Sequence, residues 1–265
     1  MFFWRGRYGT VELAVTGRRG GASAAPFDGL NLARHVGDDP RDVMANRAVL
    51  AAQLQLPPER LVFMNQCHGA VVQVVDGPWP AEPPECDAVV TASTELALVA
   101  LVADCVPVLL ADHDAGVIAA VHAGRPGLMA GVVTAALDAM GDLGARAPRA
   151  VVGPSICGRC YEVPEAMRRD VARIVPESAT VSWAGTPAVD VAAGVVAQLA
   201  RRSVPVSWVP GCTREDERLY SYRRAQRTGR FAGVVLRRGE PSPDGDAGRA
   251  AYPQLWTVPS GPEEP

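Results

Sequence analysis

Lysine is absent from the 265-residue sequence, so arginine supplies all 26 basic side chains. A Schiff-base enzyme needs a lysine amine as its nucleophile, and this class is therefore excluded. P-loop nucleotide-binding proteins and protein kinases are excluded for a related reason, because each uses a lysine to hold nucleotide phosphates. Every cationic contact to a substrate must come from arginine.

Long apolar runs are also missing. The two longest, residues 96–103 and 105–111, are separated by Asp104 and are too short to cross a bilayer. The N-terminal residues lack the basic start and the apolar stretch of a secretory signal. We therefore expect a cytoplasmic protein that keeps its six cysteines reduced.

Neither sign of charge dominates the chain. The formal net charge is −3 and the sequence pI is about 5.8. This balance gives no global field that would attract nucleic acid or an anionic membrane. We expect a small-molecule substrate, no nucleic-acid or membrane partner, and a monomer or small homo-oligomer.

Hydrophobic residues make up 48% of the chain, which is enough for one sizeable core. Short Val, Leu and Ala runs between residues 87 and 121 predict a buried sheet. A helix is expected to begin at Pro40 with Asp39 as its N-cap and to stop before Pro57. After Gly239 the apolar periodicity disappears, so residues 239–265 are predicted to form a flexible tail behind a single domain of residues 1–238.

The remaining elements are expected at short apolar or periodic segments. Further helices are predicted at about residues 128–143, 164–174 and 191–201. Strands are predicted at residues 11–15, 61–64, 71–75, 88–91, 96–102, 106–110, 117–121, 150–152, 206–209 and 231–236.

Three apolar segments place a metal-ligand type of residue at a strand edge. They read Gln-Cys-His-Gly at 66–69, Ala-Asp-Cys at 103–105 and Val-His-Ala-Gly at 121–124. Two imidazoles and a thiolate with one open position form the ligand set of a catalytic zinc, whose bound water can be activated near neutral pH. The long spacings between these segments leave a second interpretation open, in which two hydrogen-bonded histidines and an apolar cysteine are buried separately.

These segments, together with further motifs along the chain, resemble the YfiH or laccase-domain family. The further motifs are N-L-A-R-H-V-G-D-D at 31–39, N-R at 46–47, G-P-S-I at 153–156, C-Y-E-V at 160–163, C-T at 212–213, S-Y-R-R at 221–224 and T-G-R at 228–230. The match runs in order from about residue 17 to residue 236. The resemblance implies an α+β (α/β) domain with mixed sheets packed against helices, and one Zn²⁺ per chain held by His68, Cys105 and His122.

Members of the family are described as purine nucleoside phosphorylases that split adenosine, inosine, guanosine or methylthioadenosine with phosphate and also deaminate adenosine. Others are described as peptidoglycan editing factors that hydrolyse a misincorporated amino acid from a UDP-MurNAc precursor. The resemblance therefore implies a zinc-dependent phosphorylase and deaminase with a nucleoside and phosphate as substrates. Editing, and a zinc-containing scaffold with vestigial activity, remain alternatives.

Copper is not expected, despite the laccase name. A blue-copper centre consumes two histidines and a cysteine. The four histidines of this chain cannot also supply the trinuclear copper cluster of a true laccase.

The chain departs from the family pattern in two places. The family usually reads H-A-G-W-R-G, whereas this chain has H-A-G-R-P-G at 122–127. The missing tryptophan removes a surface for base stacking, although Arg125 can still contact an anionic substrate. Cys157 and Cys160 form a C-x-x-C where the family tends to have adjacent cysteines. A redox pair or half of a zinc ribbon is not favoured there, because no second C-x-x-C is present.

The predicted catalytic residues are Asp104, Arg47 and Cys105. Asp104 could accept a proton or orient a substrate hydroxyl. Neighbouring side chains of a strand point to opposite faces, so Asp104 and Cys105 share a site only if the strand ends or bulges there.

The predicted substrate-binding residues are Asn46, Arg47, His35, Gln66, Arg125 and Arg223. Arg47 is expected on the inward face of its helix, where it needs either a substrate anion or a salt bridge to Asp38 or Asp39. Arg223, Arg224, Arg227 and Arg230 form a cluster that is either an anion-binding surface or a solvated basic face. His113, in a predicted surface turn, is expected to have no role.

Overall fold

The strands and helices follow the apolar segments of the sequence. The computed structural model describes residues 1–239, so the tail predicted for residues 239–265 lies outside the described residues except for Gly239. The strands are β1 (Phe2–Tyr8), β2 (Val11–Thr16), β3 (Leu61–Phe63), β4 (Val72–Val74), β5 (Ala88–Thr91), β6 (Ala97–Val102), β7 (Val106–Asp112), β8 (Val117–Ala123), β9 (Arg149–Val152), β10 (Ala179–Val181), β11 (Pro187–Val189), β12 (Val206–Trp208) and β13 (Phe231–Arg237). The helices are α1 (Pro40–Gln53), α2 (Arg125–Ala130), α3 (Val132–Asp142), α4 (Glu165–Ile174) and α5 (Val191–Arg201), with short 3₁₀ turns at Pro58–Arg60 and Pro176–Ser178.

Within residues 1–239 the strands form two large mixed sheets and the hairpin β10–β11. The five-stranded sheet has the order β1-β2-β13-β6-β3, and the six-stranded sheet has the order β12-β9-β7-β8-β5-β4. Most neighbours are antiparallel, while β3 and β6, β4 and β5, and β9 and β12 pair in parallel. The expected α+β fold with mixed sheets packed against helices is confirmed.

The two large sheets pack face to face, and helices cover their outer faces. Leu98 of β6 and Leu109 of β7 belong to the core between the sheets. Val99, the next residue along β6, faces the layer that contains α1, and Leu110 of β7 faces α2, α3 and α5. Because both faces of these central strands are buried, their sequences are continuous apolar runs rather than alternating ones.

The single buried sheet predicted for residues 87–121 is wrong in one respect. Strand β6 belongs to the five-stranded sheet, whereas β5, β7 and β8 belong to the six-stranded sheet. The chain crosses from one sheet to the other at residues 103–105. Apolar periodicity cannot show this division, because strands of either sheet are buried on both faces.

The helices begin and end near their predicted positions. Helix α1 starts at Pro40, and the Asp39 side chain accepts a hydrogen bond of 2.8 Å from the backbone N–H of Arg41, as expected of its N-cap. The helix predicted over 128–143 instead starts at Arg125 and is divided at Gly131, whose φ of +82° ends α2 and begins α3. Strand β1 and the hairpin β10–β11 were not predicted. Among the helices of residues 1–239, none has the length and hydropathy that a bilayer crossing requires.

Candidate active site

The crossing between the sheets places Asp104 and Cys105 together. Strand β6 ends at Val102 and β7 begins at Val106, so the alternation of a continuous strand does not apply between them. Asp104 has a φ of +94°, a conformation that costs a non-glycine residue about 1–3 kcal/mol. Its carboxylate accepts hydrogen bonds of 2.6 Å from Thr213 Oγ1 and 2.6 Å from the backbone N–H of Arg223. These bonds offset the strain and hold two distant segments against the crossing.

His68 and His122 reach the same point from other elements. His68 lies in the loop after β3 and has a φ of +62°, while the buried His122 is near the end of β8. Their rings meet edge to face with centroids 4.7 Å apart. Gly124 allows this approach, because a Cβ there would lie 2.7 Å from His68 Cδ2 and 3.2 Å from Cys105 Sγ.

The ligand atoms of His68, Cys105 and His122 form a compact cluster. They all lie within 4.8 Å of one another, and Cys105 Sγ is 3.8 Å from His68 Nε2. Burial acts to raise the pKa of Cys105, but His122 and His68 outweigh it and lower that pKa to about 6. Burial acts in the opposite direction on His122, yet Cys105 and Asp87 raise the pKa of that imidazole to about 9. Without a metal, a thiolate and an imidazolium therefore stabilise each other.

Asp87 organises the cluster, and sequence analysis missed it. Its fully buried carboxylate lies 2.8 Å from His122 Nδ1 and accepts bonds of 3.0 Å and 2.6 Å from the backbone N–H groups of His68 and Gly69. Cys67 also donates to it through its backbone N–H at 3.3 Å and its thiol at 3.1 Å. Burial acts to raise the pKa of Asp87, but the hydrogen bonds led by His122 and Cys67 lower it to about 2. The available signal was an acidic residue directly before the apolar strand β5.

This donor set fits a divalent metal. With Nδ1 of His122 engaged by Asp87, its Nε2 remains for a ligand bond, and a carboxylate behind a ligand histidine is a common way to fix the ring orientation. Two imidazoles and one thiolate suit zinc and leave a coordination position open.

A cavity of about 600 Å³ opens over the cluster, within the roughly 300–1,000 Å³ range of small-molecule sites. His68, Cys105 and His122 all line it. The remaining lining combines apolar and aromatic walls with three arginines. These residues are His35, Gln66, Leu101, Val102, Ala103, Asp104, Arg125, Ile156, Tyr161, Val191, Tyr222, Arg223, Gln226 and Arg230. The cavity therefore offers both stacking surfaces and anion contacts beside the candidate metal ligands.

Residues 12–238 match the family model described as multi-copper polyphenol oxidoreductase laccase. The chain belongs to this laccase family. The match spans nearly the same residues as the motifs that indicated the YfiH or laccase-domain family, and that resemblance is confirmed.

Relatives within the laccase family cover most of the chain. A Streptomyces coelicolor protein named purine nucleoside phosphorylase is 57% identical over 229 residues, which cover 85% of this chain and 95% of the relative. A Mycobacterium tuberculosis protein of the same name is 50% identical over 238 residues, covering 87% and 95% of the two chains. The crystal structure of YlmD from Geobacillus stearothermophilus has a TM-score of 0.80 and 30% identity, covering 88% of this chain and 93% of that one.

Four of the predicted substrate-binding residues line the cavity of this laccase-family chain, namely His35, Gln66, Arg125 and Arg223. Partial desolvation, together with Arg230 and Arg47, lowers the pKa of His35 and favours the neutral imidazole. The Gln66 amide donates to the carbonyl of Leu101 at 2.7 Å and accepts from its N–H at 2.8 Å. Gln66 therefore also ties its loop to β6.

The other two predicted substrate-binding residues, Asn46 and Arg47, are not among the described residues that line the cavity. The Asn46 amide accepts from the N–H of Ala22 at 2.7 Å and donates to the Asn31 carbonyl at 2.8 Å, so it anchors the loop before α1. Arg47 donates to the Leu32 carbonyl at 3.0 Å and lies over the ring of Phe63. Burial and the nearby Arg34 lower the pKa of Arg47 to about 10, which leaves it protonated at neutral pH.

The salt bridge considered between Arg47 and Asp38 or Asp39 is not formed in the described part of the chain. Asp38 accepts hydrogen bonds from Ser23 Oγ at 2.6 Å and from Asn31 Nδ2 at 2.8 Å. Asp39 caps α1. The positive charge of Arg47 is accommodated by a carbonyl and an aromatic face instead.

The four arginines of residues 223–230 make different contacts. Arg223 and Arg230 line the cavity. Arg224 donates to the carbonyls of Thr213 and Leu219 and so supports the loop between them. Arg227 lies 5.4 Å from the ring of Phe27. His113 packs against Tyr8 with ring centroids 5.4 Å apart and, as expected, lies away from the cavity.

Gly124→Ala is expected to reduce metal binding, because the added Cβ would press on His68 Cδ2 at 2.7 Å and on Cys105 Sγ at 3.2 Å. The metal content of the purified variant, measured by elemental mass spectrometry, should fall below that of the wild type. Gly141→Ala is the matched control, since a Cβ there meets nothing within 4 Å and an alanine in α3 should raise stability by about 0.5–1 kcal/mol. Equal metal content in the two variants would contradict the close approach inferred at Gly124.

Proposed function

We propose that this protein is a zinc-dependent purine nucleoside phosphorylase that also deaminates adenosine. The observation that carries the proposal is the convergence of His68, Cys105 and His122 at a cavity that also presents arginines and aromatic rings. Relatives at 50–57% identity carry the name purine nucleoside phosphorylase, which supports this general activity. The proposed substrates are adenosine, inosine, guanosine and methylthioadenosine with phosphate, acted on in the cytoplasm by a catalytic domain of residues 1–238.

The proposed metal is one Zn²⁺ held by His68, Cys105 and His122. When bound, zinc supplies a Lewis acid that can polarise a substrate oxygen or activate water near neutral pH. The donor set favours zinc over a multicopper centre, since His113 packs on Tyr8 and the remaining histidine, His35, lies at the cavity without a place in the cluster. Asp87 keeps His122 oriented for this role.

The aromatic and apolar walls suit a purine base. Tyr161 and Tyr222 line the cavity, and either ring can supply the stacking face that the absent family tryptophan would have offered. Tyr222 is 53% exposed, so it can move over a bound base. Leu101 and Val191 contribute apolar surface to the same cavity.

The arginines suit phosphate. Arg125, Arg223 and Arg230 line the cavity, and guanidinium groups bind phosphate through paired charge-assisted hydrogen bonds. Burial lowers the pKa of Arg230, while the negative charges of Cys105 and Asp104 act in the opposite direction. Arg230 lines the same cavity as Asp104 and Cys105, so a phosphate bound to it would share that cavity with the candidate metal ligands.

Phosphorolysis forms a bond from a phosphate oxygen to C1′ of the ribose as the bond from C1′ to the purine nitrogen breaks. The purine leaves with the electron pair and gains a proton, and the ribose carries positive charge in the transition state. Asp104 lines the cavity with its carboxylate fixed by Thr213 and Arg223, so it can stabilise that charge without reorganising. Its anchoring favours this electrostatic role over proton transfer.

The test is incubation of the purified protein with adenosine in the presence and absence of phosphate. We expect ribose 1-phosphate and adenine when phosphate is present, and inosine and ammonia as the products of deamination. Release of an amino acid from a cell-wall nucleotide precursor, without either nucleoside reaction, would support the editing alternative instead. A folded, zinc-loaded protein inert toward all of these substrates would contradict the enzyme proposal.

Arg230→Gln is expected to raise the KM for phosphate about 10- to 100-fold, because a hydrogen bond to a charged group contributes about 1.5–3 kcal/mol. Initial rates of inosine phosphorolysis at varied phosphate measure this effect. Arg227→Gln is the matched control from the same segment, since Arg227 lies over Phe27 and away from the cavity. Equal phosphate KM values for the two variants would remove Arg230 from the proposed phosphate site.

A further inference from the structure

A second group of metal-ligand side chains lies outside the candidate active-site cluster. Cys157 and Cys160 are in the loop between β9 and α4, and Cys212 and Glu215 are in the loop after β12. Their three sulfur atoms and one carboxylate oxygen all lie within 4.8 Å of one another. Cys160 is buried, Cys157 and Cys212 are half-buried, and Glu215 is exposed.

Two tight turns carry these four residues. The N–H of Cys160 donates to the carbonyl of Cys157 at 2.9 Å, and the N–H of Glu215 donates to the carbonyl of Cys212 at 3.1 Å. Each turn therefore presents two side chains separated by two residues, the spacing at which structural zinc sites place a pair of ligands. The absence of a second C-x-x-C in the sequence hid this arrangement, because the second turn reads C-x-x-E.

Backbone contacts hold the two turns against each other. Ser155 and Cys212 form a parallel bridge, and the N–H of Thr213 donates to the carbonyl of Ser155 at 3.0 Å. The N–H of Cys157 also donates to Cys212 Sγ at 3.5 Å. The fold thus preorganises the donor atoms, which lowers the entropy cost of binding an ion.

The four side chains contact one another through the atoms that would bind a cation. The Cys160 thiol donates to Glu215 Oε1 at 3.2 Å. A divalent cation can replace the thiol protons, since metal binding to cysteine releases them. Arg214, which lies in the second turn, donates to the carbonyl of Cys160 at 3.2 Å and adds a further link between the two turns.

We propose that Cys157, Cys160, Cys212 and Glu215 bind a second divalent metal ion, separate from the one proposed at His68, Cys105 and His122. Three thiolates select a soft or borderline ion such as zinc over magnesium or calcium. Four protein donors complete a tetrahedral shell and leave no position for a substrate, so the site is structural. The proposal does not depend on the proposed nucleoside chemistry.

The position of this second site gives it a role in shaping the cavity. Ile156 and Tyr161, which flank the C-x-x-C turn, both line the cavity. Thr213, next to Cys212, donates to Asp104 at 2.6 Å. An ion that joins the two turns would hold Tyr161 of the cavity wall and Thr213, the donor to Asp104, in one rigid unit.

The test uses the full-length chain and the variant with His68→Ala, Cys105→Ala and His122→Ala combined, which retains only the second site. Elemental mass spectrometry should find about one zinc per chain in this triple variant, and none after Cys160→Ser is added to it. Glu215→Gln should weaken zinc retention against a chelator, whereas Glu217→Gln, an exposed neighbour outside the group, should not. Cys86→Ala, at a buried cysteine that belongs to neither ligand group, should retain both ions.

A cadmium measurement on the wild-type protein does not depend on the folding of any variant. Wild-type protein loaded with ¹¹³Cd should give two resonances, one of them in the range of three-thiolate coordination. In cobalt-substituted protein, the thiolate-to-cobalt charge transfer of the triple variant should be about three times that of Cys160→Ser, whose remaining cobalt has one thiolate.

Three results would overturn the proposal. One is a folded triple variant free of metal in which Cys157, Cys160 and Cys212 all react as free thiols in the presence of added zinc. Another is an intact mass two hydrogens below that of the reduced chain, with a disulfide mapped between two of these cysteines. A single ¹¹³Cd resonance from the wild type, without thiolate-rich character, would contradict it equally.

Discussion

Replacement of His122 with alanine is expected to remove the metal from the candidate active site and to lower nucleoside phosphorolysis at least about 10³-fold. His122 supplies one of the three converging ligand atoms, and its ring is already oriented by Asp87. Alanine leaves two protein ligands and takes away several kcal/mol of transition-state stabilisation. Metal content should fall by about one ion per chain, and the rate of ribose 1-phosphate formation reports the loss of activity.

His113→Ala is the matched control for this variant. His113 packs against Tyr8 at 5.4 Å and is not part of the cavity lining. Its replacement should leave the metal content and the rate unchanged. A His122→Ala protein with the metal content and rate of the wild type would contradict the assignment of the site.

Asp87→Asn is expected to weaken metal binding about 10- to 100-fold, the usual effect of losing a carboxylate behind a ligand histidine. The Asp87 carboxylate accepts from His122 and from the loop at 67–69. An amide presents a donor where one of those oxygens was, so at least one N–H loses its acceptor, and stability should fall by about 1–3 kcal/mol. Competition with a chromogenic chelator measures the affinity, and urea unfolding measures the free energy.

Asp112→Asn separates the two effects. Asp112 is also buried and accepts from the N–H groups of Ala115, Arg146 and Ala147 at 3.0, 2.7 and 2.8 Å, but it lies outside the cavity lining. We expect a similar loss of stability with no change in metal affinity. If both variants lose stability equally and neither loses affinity, Asp87 supports the fold alone.

Residue patterns predicted the local structure well where the signal is local. Asp39 and Pro40 mark the start of α1 because capping depends on neighbouring residues. The division of β6 and β7 between two sheets could not be predicted, because it depends on the crossing at 103–105 and on long-range pairing. The break at Gly131 was missed because a glycine inside an apolar helical pattern is also tolerated without one.

The candidate site was predicted unevenly for the same reason. The motifs identified His68, Cys105 and His122 as candidate ligands, and the fold brings these three strand-edge residues together. Asp87 was not predicted, because a buried carboxylate is identified by the hydrogen-bond donors around it. Its donors, which include Gly69 and His122, lie in other segments of the chain. Arg47 was expected at the substrate because a buried guanidinium needs a partner, yet the partner is the Leu32 carbonyl and the Phe63 ring.

The second cysteine group shows the limit of spacing rules. Cys157 and Cys160 were judged in isolation, since the sequence offers no second pair of cysteines at that spacing. The fold supplies Cys212 and Glu215 from a distant loop. A carboxylate in the place of a fourth thiolate cannot be distinguished from a surface glutamate by sequence pattern alone.

Zinc at His68, Cys105 and His122 is proposed to support the phosphorolysis of purine nucleosides. The most direct measurement is ribose 1-phosphate formation from inosine and phosphate by protein stripped of metal with a chelator and then loaded with a single metal. We expect that stripping abolishes product formation and that Zn²⁺ restores it, while Cu²⁺ does not. Full activity of the stripped protein, or recovery with copper accompanied by oxygen-dependent oxidation of a phenol, would contradict it.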